Sequence, residues 1–168
     1  MSLVESFNPV IGRSPRVLIL GSMPGITSLQ QQQYYAHPRN AFWPIMAEIF
    51  AVRWRDDYAE RIQQLQSLPL ILWDTLKRCQ REGSLDSAIV KDRLQANDIA
   101  GLLDRYSSIR LIAFNGAAAE KYFNQAVADS LNQAGRVDRV RLPSTSPAHA
   151  SKNLLQKLAE WRVIQAYL

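Results

Sequence analysis

Three short, nearly continuous runs of apolar residues constrain the fold of this chain more than any other feature. They cover residues 16–20, 68–73 and 109–114; Gly21 closes the first and Asn115 closes the third. A strand that is apolar at every position, rather than at alternate positions, suits a parallel sheet that is covered on both faces. These runs therefore predict the buried strands of an α/β domain.

One further strand and several helices are predicted around these runs. Residues 136–142 alternate in hydropathy, which is typical of a strand nearer the sheet edge. Asn40 is predicted as the N-cap of the first helix. Apolar residues at helical spacing predict helices over 41–50, 57–66, 97–106, 117–126 and 152–168.

Strand–helix alternation at this spacing implies right-handed crossovers. We therefore predict a three-layer α/β/α sandwich around a central four-stranded parallel sheet, formed by residues 1–168 as a single domain. With 168 residues, 47% apolar and 21% charged, the chain is long and apolar enough for one ordinary core.

Composition excludes several other classes. No apolar run approaches the roughly 18 residues that cross a bilayer, and the first residues do not form a secretory leader. The single cysteine, Cys79, excludes an internal disulfide framework and a site built on several thiolates. We expect Cys79 to be buried and inert, and the protein to be cytoplasmic.

The charge balance is basic. Twenty Lys and Arg side chains face fifteen Asp and Glu, which gives a net charge of +5. A basic surface speeds association with a polyanion, and guanidinium groups suit phosphate oxygens. Since no basic run is longer than two residues, charge alone leaves nucleic-acid binding open.

In such sheets the ligand site lies outside the carboxyl ends of the strands. This rule directs attention to the loops at 21–40, 74–86, 115–116 and 142–151. The first loop is long and without clear regular structure, and loops of that kind are usually functional. Its Gly-Ser-Met-Pro-Gly opening is neither a phosphate-binding P-loop nor the nucleophile elbow of a serine hydrolase. Asp74 is expected to cap the turn after the second strand.

The last of these loops reads Leu-Pro-Ser-Thr-Ser-Pro-Ala-His-Ala over residues 142–150. Small hydroxyl residues between prolines can aim hydroxyl and backbone N–H donors at a phosphate. The alternative is a rigid connector in which a serine caps the last helix.

Together the loops resemble one family, the uracil-DNA glycosylase superfamily. The resemblance is carried by the Gly-Ser-Met-Pro-Gly motif at 21–25 and the Pro-Ser motif at 143–144. The His-Pro-Arg-Asn-Ala-Phe-Trp segment at 37–43 is similar to one shared by the mismatch-specific and the deoxyinosine (hypoxanthine) branches. Trp73-Asp74, followed by Gly-Ser-Leu-Asp-Ser at 83–87, resembles the deoxyinosine branch.

The resemblance implies that a damaged nucleotide is flipped out of double-stranded DNA and loses its base by hydrolysis. Tyr35 would stack on the base, although it could instead pack the loop onto the domain. Asn40 would be the catalytic residue, holding a water below the anomeric carbon. Asn115 would read the base edge, or else serve as a turn residue.

The remaining site residues follow from the same resemblance. The first motif would supply the rest of the base pocket, namely Gly21, Ser22, Met23 and Pro24. The second motif would contact flanking phosphates through Ser144 and Ser146, with Ala148 and His149 against the gap left by flipping. Because no Cys, His and acidic residues stand at ligand spacing, we predict no metal and no cofactor.

Two departures bear on the substrate. Ser22 stands where the classical uracil enzymes have Asp and the mismatch-specific enzymes have Asn. Leu142 stands where some relatives have a His that stabilises the departing base anion. No lysine occupies a motif position where it could form a Schiff base. The leading hypothesis is a monomeric, monofunctional glycosylase that removes hypoxanthine from deoxyinosine.

Three alternatives remain at this point. The substrate could be uracil or thymine opposite guanine. The chain could be a serine hydrolase that pairs Ser22 with His37 or His149. It could also be a DNA-binding module without catalysis, which would bind duplex DNA with a steep salt dependence and release no base.

Overall fold

The computed structural model describes residues 3–131 and 136–168. Its strands are β1 (Leu3–Glu5), β2 (Val10–Ile11), β3 (Val17–Gly21), β4 (Leu70–Asp74), β5 (Leu76–Gln80), β6 (Gln95–Ala96), β7 (Leu111–Asn115) and β8 (Asp138–Leu142). Its α-helices are α1 (Ile26–Gln31), α2 (Phe42–Phe50), α3 (Tyr58–Gln66), α4 (Ile99–Arg105), α5 (Ala117–Ala126) and α6 (Leu154–Trp161). Short 3₁₀ turns lie at Asp86–Ala88, Ala128–Ser130 and Arg162–Tyr167.

The central sheet has the order β2-β4-β3-β7-β8 within the described residues. Strands β4, β3, β7 and β8 are parallel, which confirms the predicted four-stranded parallel sheet. The two-residue strand β2 adds an antiparallel edge beside β4, and the sequence did not predict it. Every residue of β3 and β7 is buried, whereas β8 is largely exposed at the other edge, as its alternating pattern indicated.

Helices cover both faces of this sheet, which confirms the three-layer sandwich. Val17 and Ile19 of β3 pack in one apolar cluster with α2, α3 and α6. Leu18 and Leu20, which point to the opposite face, pack in a second cluster with α4 and α5. The uninterrupted apolar run of β3 therefore reflects burial against helices on both sides.

Several helix boundaries differ from the prediction. The last helix begins at Leu154, because Asn153 and Gln156 form a capping box, and it changes to a 3₁₀ turn at Arg162. The N-cap of α2 is Ala41 rather than Asn40. Across the described residues, none of the helices combines the length and the hydrophobicity that a bilayer-spanning segment requires.

The prediction that the first loop lacks regular structure was wrong, because α1 lies within it. Helix α1 is rich in glutamine and has too little apolar periodicity to be recognised from the sequence. Its first N–H, on Ile26, donates to Ser84 Oγ at 2.8 Å. A contact with a segment far along the chain therefore helps to start this helix.

A second sheet, also not predicted, has the antiparallel order β1-β5-β6 in the described part of the chain. Strand β5 follows β4 after Thr75 and carries the chain past the end of the central sheet. Leu76 and Cys79 of β5 are buried in one apolar cluster with Met23, so the prediction of a buried Cys79 is confirmed. The segment after β5 then returns to the first loop, where Ser84 contacts Ile26, and Ser84, Leu85 and Asp86 line the cavity described next.

Candidate active site

A cavity of about 340 Å³ opens at the carboxyl ends of the parallel strands. Gly21, Asp74 and Asn115 are the last residues of β3, β4 and β7, and all three line it. The loop after β8 completes the lining. The sequence-predicted residues that the fold brings together here are Gly21, Ser22, Met23, Pro24, Tyr35, Asn40, Asn115, Ser144, Ser146 and Ala148. The volume lies within the range of small-molecule pockets.

The first loop is held by the segment that follows β5. Ser22 Oγ donates a hydrogen bond to Asp86 Oδ1 at 2.6 Å. The buried Arg81 guanidinium donates to the backbone carbonyl of Pro24. Because the Ser22 hydroxyl donates to a carboxylate and His37 Nδ1 accepts from the Arg39 N–H, the geometry gives no support to the serine-hydrolase alternative.

Tyr35 is held in a strained position beside the cavity. Its φ of 51° lies in the left-handed region, which a bulky residue adopts only when its surroundings impose it. The ring stacks on Phe42 with centroids 4.3 Å apart, and the hydroxyl accepts a hydrogen bond from Asn115 Nδ2 at 3.1 Å. Burial raises the pKa of Tyr35 well above its usual value. Only the ring face away from Phe42 is left for a ligand.

Asn115 and Thr145 form a closed pair. Asn115 Oδ1 accepts from the Thr145 backbone N–H at 2.9 Å, and Asn115 Nδ2 donates to Thr145 Oγ1 at 2.9 Å. The second N–H of this amide donates to Tyr35. Both amide hydrogens of Asn115 are therefore used inside the protein, and one lone pair of Oδ1 remains for a ligand. The prediction that Asn115 reads a base stays a prediction.

Asn40 lies at the mouth of the cavity, just before α2. Its Oδ1 accepts a hydrogen bond from the Phe42 N–H at 3.0 Å, so the side chain satisfies the first turn of α2 although Ala41 is the formal N-cap. This bond fixes the orientation of the amide. The second lone pair of Oδ1 and the Nδ2 hydrogens have no partner among the described residues.

Asp74 is the main functional candidate that the sequence reasoning missed. It was expected to cap a turn, but it is the last residue of β4, its side chain lines the cavity, and it is only 4% exposed. Within the described chain its Oδ2 is buried without a hydrogen-bond partner. Burial, reinforced by the nearby Asp86 and opposed by Arg81, raises the pKa of Asp74 to about 7. The sequence feature that could have identified Asp74 as a site residue is its position at the carboxyl end of a buried strand.

Gly21 makes room for this carboxyl. A Cβ at position 21 would lie 2.4 Å from Asp74 Oδ1 and 3.1 Å from the Tyr35 hydroxyl. Real side chains never approach so closely, so only glycine lets the end of β3 pass between these two groups. The first glycine of the first motif is therefore needed because the Asp74 and Tyr35 side chains lie so close to the backbone at position 21.

Two more residues on this side of the cavity were also missed. Arg81 is buried, and its Nε and Nη1 have no hydrogen-bond partner in the described part of the structure. Desolvation raises the pKa of Asp86, which lies at the cavity rim, while the hydrogen bond from Ser22 opposes that shift. In residues 3–131 and 136–168, no group of three His, Cys, Asp or Glu side chains is placed to bind a metal ion.

A second cavity of about 270 Å³ adjoins the first and shares Asn40 and Pro147 with it. The predicted contact residue His149 lies here rather than in the main cavity. The basic residues around the second cavity are Arg39, His149, Lys152 and Lys157. Lys157 is buried, which lowers its pKa, and its Nζ donates to the Ser146 carbonyl at 3.3 Å. It thereby holds the serine-rich loop between the two cavities.

Comparison with known proteins identifies the family. The family described as the uracil DNA glycosylase superfamily matches residues 9–167. A relative from Methanosarcina acetivorans, named hypoxanthine DNA glycosylase, is 35% identical over 163 residues, which cover 95% of this chain and 96% of the relative. A relative of the same name from Methanosarcina barkeri is 34% identical over 119 residues, covering 70% of this chain and 74% of the relative.

A solved structure agrees with these sequence relatives. The solution NMR structure of a candidate uracil DNA glycosylase from Methanosarcina acetivorans superposes with a TM-score of 0.76 at 32% identity, covering 98% of this chain and 97% of that one. The resemblance drawn from the two loop motifs is thus confirmed by the whole chain. This protein belongs to the uracil DNA glycosylase superfamily.

Proposed function

We propose that this chain is a monofunctional hypoxanthine DNA glycosylase. It binds duplex DNA, flips deoxyinosine into the main cavity and hydrolyses the N-glycosidic bond, leaving an abasic site. The observation that carries the proposal is a cavity at the carboxyl ends of the strands with Tyr35 beside it and Asn40 at its mouth. The names of the two Methanosarcina relatives support hypoxanthine as the base.

The geometry suggests a role for each group at the mouth. A base that enters the cavity can stack on the free face of Tyr35, and such stacking contributes about 1–3 kcal/mol. Asn40, fixed by the Phe42 N–H, has a carbonyl lone pair and amide hydrogens with which to hold one water. Positioning that water under the anomeric carbon lowers the entropic part of the barrier.

The basic side of the second cavity is the surface on which the DNA backbone is expected to lie. Arg39, Lys152 and His149 surround it, next to the serine loop that enters the main cavity. Ser144 Oγ accepts from the Ser146 N–H at 3.2 Å, and Ser146 Oγ accepts from the Ala148 N–H at 3.2 Å. These hydroxyls are held in tight turns, and their hydrogens can point toward phosphate oxygens.

A base-release assay under single-turnover conditions tests the proposal. The duplexes carry one deoxyinosine, one deoxyuridine opposite guanine, or no lesion, and alkali converts each abasic site to a strand break. Asn40→Ala should lower hypoxanthine release by about 100-fold, the order of loss expected when a reacting water is no longer positioned. The matched control is Asn124→Ala, on the exposed surface of α5, which should release base at the native rate.

Each outcome separates the hypotheses. Breaks at deoxyinosine that disappear in Asn40→Ala support both the activity and the role of Asn40. Breaks only at uracil would assign the chain to the mismatch-specific branch. Duplex binding without breaks at any lesion would replace the enzyme with a DNA-binding module.

A further inference from the structure

The two functional ends of the main cavity lie at different depths. Asn40 is half-buried and also lines the outer basic cavity, so it marks the end nearest the DNA backbone. Asp74 is 4% exposed and lies at the end of β4, so it marks the floor. A flipped nucleotide enters with its base leading and its sugar behind. The base therefore meets Asp74 while the sugar remains near Asn40.

The floor leaves Asp74 as its available acid, because the Tyr35 hydroxyl, although its hydrogen is not used, has a pKa raised by burial and gives up its proton poorly. Both amide hydrogens of Asn115 are used by Tyr35 and Thr145, and the Ser22 hydrogen is used by Asp86. By contrast, Asp74 Oδ2 has no partner among the residues that the structure describes. A purine entering the cavity brings acceptors at its ring nitrogens and at O6, which need a donor from the protein.

The chemistry of the leaving group calls for such a donor. A purine departs most easily when one of its ring nitrogens is protonated, because the electrons of the broken bond then produce a neutral base. Leu142 supplies no proton or charge to stabilise an anion. We propose that the carboxyl group of Asp74 is the general acid that protonates the departing purine. This inference rests on the proposed hypoxanthine activity.

Base release uses the proton of Asp74 and restores it from water. The neutral carboxyl of Asp74 gives its proton to a ring nitrogen of hypoxanthine, and the electron pair of the C1′–N9 bond moves into the base. Neutral hypoxanthine leaves, and C1′ takes the oxygen of the water held by Asn40. One proton of that water passes to the Asp74 carboxylate, directly or through solvent. The products are hypoxanthine and an abasic sugar, and Asp74 is again protonated.

The surroundings keep this carboxyl protonated near neutral pH. Burial is the largest cause, and the negative charge of Asp86 from the segment after β5 adds to it. Arg81 opposes both, while Tyr34 and Tyr35 stay neutral because burial raises their pKa values. The pKa of Asp74 is about 7, where a general acid is most effective.

The first test is the pH dependence of single-turnover hypoxanthine release between pH 5.5 and 9. Because the protonated form of Asp74 is the active one, the native rate should be level at low pH. Above about pH 7 it should fall roughly tenfold per pH unit. A native rate that stays level up to pH 9 would overturn the proposal without any variant.

The second test uses Asp74→Asn, which keeps the shape and polarity of the side chain but cannot give up a proton. We expect release at pH 6 to fall by about 10²–10⁴, the usual contribution of general acid catalysis. The remaining rate should not depend on pH, and affinity for the inosine duplex should stay within about twofold. Asp56→Asn, which removes an exposed carboxylate, should keep the native rate and profile.

Asp86 is the competing titratable group, and Asp86→Asn separates the two. Removing its charge should shift the fall in rate to lower pH, because a like charge no longer raises the pKa of Asp74. If the fall disappears in Asp86→Asn but persists in Asp74→Asn, the acid is not Asp74. If the native chain releases no hypoxanthine at any pH, the proposed function itself fails.

Discussion

The two sides of the main cavity differ in how their polar groups are satisfied. On the paired side, Tyr35, Asn115 and Thr145 bond to one another and the neutral amide of Asn115 is almost fully used. On the acidic side, Asp74 and Arg81 are buried with polar atoms that lack partners in the described structure. Asp86 lies at the rim of this side and accepts from Ser22.

This difference shows that the paired side maintains the shape of the cavity, whereas the acidic side keeps reactive groups available to a ligand. Buried polar groups with full hydrogen bonding stabilise a fold, whereas a buried carboxyl without partners destabilises it. The paired side joins the ends of β7 and β8 to the strained Tyr35 and thus fixes the cavity. The acidic side lowers the stability of the fold, as functional sites often do.

The largest effect should come from the paired side. Asn115→Ala removes three hydrogen bonds and leaves the buried N–H of Thr145 without its acceptor. We expect the free energy of unfolding to fall by about 4–6 kcal/mol, from roughly 1 kcal/mol per bond plus about 1–3 kcal/mol for the desolvated N–H. Urea denaturation measures this change. Asn124→Ala on the exposed face of α5 is the matched control and should differ from the native chain by under about 0.5 kcal/mol.

On the acidic side, a substitution should raise the free energy of unfolding instead of lowering it. Asp74 has a pKa of about 7 in the folded state against an ordinary 3.8, so the folded state binds the proton more tightly. Its contribution to stability therefore declines as pH rises from about 4 to 7 and is constant above that range. Asp74→Asn removes this penalty and should stabilise the chain by about 4 kcal/mol at pH 8 and by almost nothing near pH 4.

Denaturation curves at pH 4, 6 and 8 measure this difference, with Asp56→Asn as the control. The gain in unfolding free energy should grow with pH for Asp74→Asn and stay near zero for the control. A gain that is equal at all three pH values would mean that Asp74 is ionised in the folded protein throughout this range.

A substitution that pushes the two sides of the cavity apart should have an intermediate effect on the free energy of unfolding. Gly21→Ala places a methyl group 2.4 Å from Asp74 Oδ1 and 3.1 Å from the Tyr35 hydroxyl. Side chains must shift to relieve this overlap, so we expect a loss of about 2 kcal/mol in unfolding free energy. Gly25→Ala should cost less, because its nearest neighbour is the flexible Ser84 hydroxyl at 3.2 Å. Equal losses in the two variants would show that Asp74 and Tyr35 do not confine position 21.

The smallest effect should come from Ser22→Ala. This change removes the hydrogen bond to Asp86, which lies at the rim, so we expect a loss of about 1 kcal/mol. The pKa of Asp86 should rise further, because that bond opposes the shift caused by desolvation. NMR titration of the Asp86 carboxyl carbon measures the shift, and Ser87→Ala on the exposed neighbour should leave it unchanged. A fall in the Asp86 pKa would mean that Ser22 does not stabilise the carboxylate.

Much of the central fold could be predicted because its signals are local. The apolar runs that became β3, β4 and β7 predict buried strands by composition alone, and α2 and α5 show helical periodicity. The short elements β1, β2, β6 and α1 could not be predicted. Their pairing partners or first hydrogen bonds come from distant segments, as with Ile26 and Ser84.

The position of the site, but not its charge state, was determined by the sequence itself. Motifs that follow buried parallel strands must meet at one edge of the sheet, which placed Gly21, Tyr35 and Asn115 around one cavity. Only the tertiary structure decided that Asn115 is nearly fully bonded while Asp74 is buried without a partner for Oδ2. The physical reason is that burial and hydrogen-bond partners depend on contacts between segments far apart in the chain, here Thr145 for one residue and Arg81 and Asp86 for the other.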